Sequence, residues 1–132
     1  MSRRAITNAL KARLAAVSLP KAWLNQDFDP AKPGNLPYLA VSIIRADTTD
    51  DTLDAEAPIQ TGRIIASVVT ARGSGDGQAD DHADAVAALF PMGLRLTAGS
   101  QTITITQPPH VNEGLEDGAH WRVPVRIAFE AE

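Results

Sequence analysis

Cysteine is absent from the 132 residues, which excludes a disulfide framework, thiolate-bound zinc, iron–sulfur clusters and a cysteine nucleophile together. A long apolar run is missing too. Lys11 and Arg13 interrupt the only stretch in which a basic pair, Arg3-Arg4, precedes apolar residues in the manner of a signal peptide, and no segment approaches membrane-spanning length. The expected setting is therefore the cytosol or a virion. Basic excess is lacking as well: 12 Lys and Arg stand against 16 Asp and Glu, a formal charge of −4. That balance argues against non-specific nucleic-acid binding or a basic membrane-docking surface as the main business of the chain.

At 14.0 kDa a chain buries about two-thirds of its unfolded surface, which sustains one core without staples. Hydrophobic residues at 44% and charged residues at 21% fit a folded protein and not a disordered tail. No composition shift marks an internal boundary, so residues 1–132 are expected to form a single domain. Charge is unevenly placed. Residues 1–24 hold Arg3, Arg4, Lys11, Arg13 and Lys21 with no acid, so the remainder carries seven cations and all 16 acids.

Ile6, Leu10, Leu14 and Val17 recur at helical spacing, with Ser2 placed to cap the start and Pro20 to close the helix. Residues 20–37 contain Pro20, Pro30, Pro33, Gly34 and Pro37, too many breakers for regular structure. Trp23 and Phe28 are expected to anchor this connection to the core. Tyr38–Arg45 and Ile59–Ala71 read as strands, joined by an acidic stretch over 46–58 to make a hairpin with a long tip. Ala79, Ala83, Val86, Ala87 and Phe90 predict a second helix, with Asp80, Asp81 and Asp84 in early turns favoured by the helix dipole.

The remaining chain reads as strands: Leu94–Leu96, a Gly99-Ser100 turn, Gln101–Gln107, and a last strand after a polar loop running to Ala119. Trp121, Val123, Val125, Ile127 and Phe129 face one way in that last strand and Arg122, Pro124, Arg126 and Glu130 the other. Pro124 has no N–H for a ladder, which predicts an edge strand or a bulge there. The expected fold class is α+β, two helices on a mostly antiparallel sheet in the order α-β-β-α-β-β-β.

Candidate chemistry is thin. Gly73, Gly75 and Gly77 form a glycine-rich turn before a helix, but Asp76, Asp80 and Asp81 would repel a phosphate and no Lys follows. Ser74 lacks the glycine spacing of a nucleophile elbow. His82, His110 and His120 are scattered, and the acids Asp47, Asp50, Asp51, Asp54 and Glu56 miss the calcium-loop spacing. These observations predict no catalytic residue, no cofactor and no metal.

The order of elements and several strings resemble the phage tail terminator-like proteins, similar in fold to the terminators of long non-contractile tails. The strings are Asn25-Gln26-Asp27-Phe28-Asp29-Pro30 with Gly34, Pro37, Tyr38 and Leu39, then Gly73 to Phe90 with Gly93 and Leu94. Pro108-Pro109 and Asp117-Gly118-Ala119-His120-Trp121-Arg122-Val123-Pro124-Val125 complete the set. This resemblance implies a virion tail protein, assembled in the host cytoplasm, that forms a homo-oligomeric ring, typically of six copies. It implies capping of the head-proximal end of the tail tube, with the tube protein and the head-side connector as partners, and DNA passing through the ring without specific binding. Another head–tail connector or minor tail component is the alternative within that setting, and a small-ligand-binding α+β domain is the alternative outside it.

A basic N-terminal face and an acidic remainder can pair between identical neighbours arranged head-to-tail. Candidate assembly residues are accordingly Arg3, Arg4, Lys11, Arg13, Asp47, Asp50, Asp51, Asp54, Glu56, Arg122 and Arg126. Acids lining the central hole would let DNA pass without adhering.

Overall fold

A computed structural model describes residues 3–23, 28, 37–49, 59–73 and 77–132. The element order is α1 (Arg3–Leu14), β1 (Lys21–Trp23), β2 (Tyr38–Thr49), β3 (Ile59–Ala71), α2 (Gly77–Ala88), β4 (Arg95–Ala98), β5 (Gln101–Ile105), β6 (His110–Val111), β7 (Leu115–Asp117) and β8 (His120–Ala131). All eight strands belong to one sheet, ordered β1-β2-β3-β8-β5-β4, with β6 and β7 also paired to β8.

The sheet dominates, which overturns the α+β expectation and its order α-β-β-α-β-β-β. Two 12-residue helices stand against three strands of 12 or 13 residues and five shorter ones. The extra strands come from stretches rich in breakers. Lys21–Trp23 pairs parallel with Leu39–Val41, and β6 and β7 arise within the loop expected before Ala119. β2 also runs on to Thr49, past a register shift between Arg45 and Asp47.

Alternation puts one face of this sheet in the core. Leu39, Val41, Ile64, Ala66, Val68, Val123, Val125, Ile127 and Phe129 are buried there, and cross-strand neighbours share the face because the side-chain period is two. β5 adds Ile103 and Ile105. α2 lies over this face against β3, β8 and β6, and α1 packs against β4. Ile6, Leu10 and Leu14 are fully buried, as are Ala79, Ala83, Val86 and Phe90. At roughly 1.5–3 kcal/mol per fully buried aliphatic or aromatic side chain, the α1 stripe is a large share of what keeps that helix in place.

The first helix stops at Leu14 and not near Pro20. Ala16 and Val17 donate to Arg13 and Leu14 carbonyls three residues back, a tightened final turn that still buries Val17. β3 occupies the expected Ile59–Ala71, and β4 and β5 meet at the expected Gly99-Ser100 turn, where Gly99 has φ 63°.

The last strand is not an edge. β8 has β3 on one side along its whole length and β7, β6 and β5 in succession on the other. Pro124 is tolerated because of where it sits. Its carbonyl accepts from Asn112 N–H at 2.8 Å, so its nitrogen points the same way, toward the break between β6 and β7 where no ladder donor is required.

Candidate assembly surface

The basic residues of the first 24 positions divide into those the fold engages and those it leaves outward. Arg13 Nε donates to the Leu89 carbonyl at 2.8 Å, one residue beyond α2, where a cation also meets the negative end of the helix dipole. Lys11 Nζ stands 5.1 Å from the Trp23 ring centroid, a cation–π contact that holds β1 against α1. Lys21 Nζ donates to the Val17 and Leu19 carbonyls at 2.6 and 2.9 Å, and burial pushes its pKa down from the ordinary 10.5. Arg4 is exposed on α1, and Arg3 opens that helix.

On the sheet, Arg122 is half-buried in register with Val69 and Leu115, and Arg126 is exposed in register with Ile65 and His110. Asp47 pairs with Thr61 in β2. Asp50, Asp51, Asp54 and Glu56 lie outside the described residues.

The face turned away from the helices carries a residue that sequence reasoning missed. Arg63 pairs with Ala128, and Arg126 with Ile65, so the two arginines are diagonal neighbours on one face. With His110 they line a cleft of about 140 Å³. Ile44, 37% exposed, and the half-buried Ile65 and Ala128 lie beside them. The signal was available: Arg63, Ile65 and Ser67 alternate with the buried Ile64, Ala66 and Val68.

On the helix side the charge has the opposite sign. Asp80, Asp81 and Asp84 are exposed on α2, which has no Lys or Arg. Asp80 and Glu113 line a cleft of about 400 Å³ with Val111, Asn112, Gly114 and Trp121. Two buried polar atoms there, Asn112 Oδ1 and Trp121 Nε1, have no hydrogen-bond partner among the described residues. Arg72 pairs with Glu116 at 3.4 Å, and Arg72 N–H donates to the Ala119 carbonyl at 2.9 Å. The exposed ion pair adds little, so the backbone bond does most to tie the β7–β8 turn to β3.

No constellation for chemistry is assembled among the described residues. His82 is on α2, His110 on β6 and His120 on β8, and no three His, Asp or Glu side chains gather where a metal ion could be held. None of the described helices is long and apolar enough to cross a membrane.

The model of a family described as phage tail terminator protein matches residues 5–129. This chain belongs to that phage tail terminator family. The family is a structural one of virion tails and not an enzyme family, and membership implies contact with other tail components. No curated protein matches the chain. A solved structure that carries no functional name superposes with a TM-score of 0.82 over 100% of this chain and 96% of its own, at 24% identity. That likeness is one of fold. The terminator family's match extends from α1 to β8, so it takes in both the arginine face and the acidic cleft.

Proposed function

We propose that this terminator-family chain forms a ring at the head-proximal end of the tail tube, stops tube polymerisation there, and presents the surface that joins the head-side connector. The observation that carries the reading is the family match over residues 5–129, nearly the whole described sheet and both helices. The charge distribution supports it. Identical copies build a ring through two different patches, and this molecule has a basic patch on one side of its sheet and an acidic one on the other.

In this role the work is done by surfaces. A copy bound to the last tube ring covers the faces on which the next tube subunit would add, and its opposite side is offered to the connector while DNA passes through the hole. No covalent step is involved. Electron microscopy of tails assembled with and without the protein tests the proposal. Tubes of defined length with it, and overlong or polydisperse tubes without it, are expected. Identical length distributions in the two samples would refute termination.

A further inference from the structure

We propose that the outer sheet face around Arg63 and Arg126 docks on the acidic α2 side of a second copy of this chain, whose Asp80–Glu113 cleft receives an incoming guanidinium. The inference rests on the ring reading and names the contact between neighbouring copies.

Four observations carry it. Arg63, His110 and Arg126 line one cleft, and neither arginine has an ion pair with a described side chain. Gathering like charges on neighbouring strands costs free energy that an anionic partner relieves. Ile44, Ile65 and Ala128 flank the arginines, so the face combines apolar area with Arg as protein interfaces do, and differs from a groove that only tracks phosphates. α2 offers Asp80, Asp81 and Asp84 with His82 among them and no Lys or Arg in the helix.

The cleft beside it adds the Glu113 carboxylate and the unpartnered Asn112 Oδ1. A guanidinium, with five donors and no acceptor, suits a site that presents carboxylates and an amide oxygen. The two patches lie on opposite sides of one sheet, so each copy can offer one to each neighbour. That is the heterologous arrangement, which closes into a ring or extends according to the rotation between copies.

Charge exchange tests the pairing. One variant carries Arg63→Glu and Arg126→Glu, the other Asp80→Lys and Glu113→Lys, with thermal unfolding used to verify that each is folded. Association of wild type, each variant and their equimolar mixture is measured by sedimentation equilibrium up to about 1 mM, a concentration that detects a millimolar dissociation constant. The wild type is expected to self-associate, and more weakly as salt rises. Each variant alone should associate at least about tenfold more weakly, and the mixture should recover because every reversed face then meets its opposite. Should the glutamate variant fail to fold, Arg63→Gln with Arg126→Gln serves, with the same expected loss.

A wild type monomeric at that concentration overturns the proposal. So do variants that associate like wild type, or a mixture that does not recover. Salt-sensitive binding to duplex DNA that is lost in the arginine variant while self-association persists would assign the face to phosphate, and overturns it as well. Tail length in the presence and absence of wild-type protein is read separately, so failure of the termination reading is distinguishable from failure of this contact.

Discussion

Gly114 lies against the Trp121 indole, so closely that a Cβ on residue 114 would fall within 3.0 Å of three ring atoms, Nε1 among them. Trp121 is in β8 and Gly114 in the segment between β6 and β7, so this contact fixes how that segment crosses the end of α2. Gly114→Ala is expected to destabilise the fold by about 1–3 kcal/mol, the usual cost of overpacking. The measurement is urea unfolding followed by Trp121 emission in a Trp23→Phe background. An unchanged midpoint and spectrum would show that the ring yields freely.

The apolar stripe of α1 should be far more sensitive than its charged surface. Leu10 is fully buried, and Leu10→Ala is expected to cost about 2–5 kcal/mol. Arg4 is exposed, and Arg4→Ala should stay within about 0.5 kcal/mol. Both are read from chemical denaturation midpoints, with equal slopes confirming a common unfolded state.

Arg13 joins the two helices through one bond. Removing its donor leaves the Leu89 carbonyl without that partner, so Arg13→Met, which keeps much of the side-chain volume, should lose about 1–2 kcal/mol. Hydrogen exchange should quicken at the end of α2 in the variant, and unaltered exchange there would show that the bond does not hold the helix end.

Lys21 gives an alkaline signature. Burial lowers its folded pKa below the ordinary 10.5, so between those two values the unfolded chain binds more protons than the folded one. Its contribution to stability therefore rises as pH climbs through the folded value and levels off above 10.5. Comparing wild type with Lys21→Met across that window isolates it. The stability difference between the two proteins should shift in favour of wild type as pH increases, and a flat difference would contradict the assignment.

Much of the frame was legible because it follows from periodicity. The α1 stripe of Ile6, Leu10 and Leu14, the bounds of β3, and the alternation of β8 all reflect one buried face, a local property of the sequence. What escaped depends on partners distant along the chain. β1, β6 and β7 are two or three residues long and are strands only because β2 or β8 lies beside them, so no periodic pattern could mark them. Without them the pattern reads as α+β, two helices on a mostly antiparallel sheet, whereas the sheet dominates.

Pro124 misled for a related reason. A half-buried strand alternates in the same way at an edge or in the middle of a sheet, and only the direction of the Pro124 carbonyl toward Asn112 reveals how a central strand accommodates it. On the surface, Arg13 and Lys11 read as part of a solvated basic face, and their bonding to Leu89 and contact with Trp23 depend on tertiary structure. Arg63 was legible from alternation but stood in a strand read for its apolar residues alone.

The place of β8 has a consequence for synthesis on the ribosome. β8 runs along β3, although His120 pairs with Ala71, 49 positions earlier. A nascent chain that has released β2 and β3 still holds Leu39, Ile64 and Val68 without α2 and β8, and this part of the core is complete only when β8 emerges. Folding is therefore late and governed by non-local pairing, and the interval before β8 arrives is when the newborn chain is most exposed to aggregation or chaperone capture.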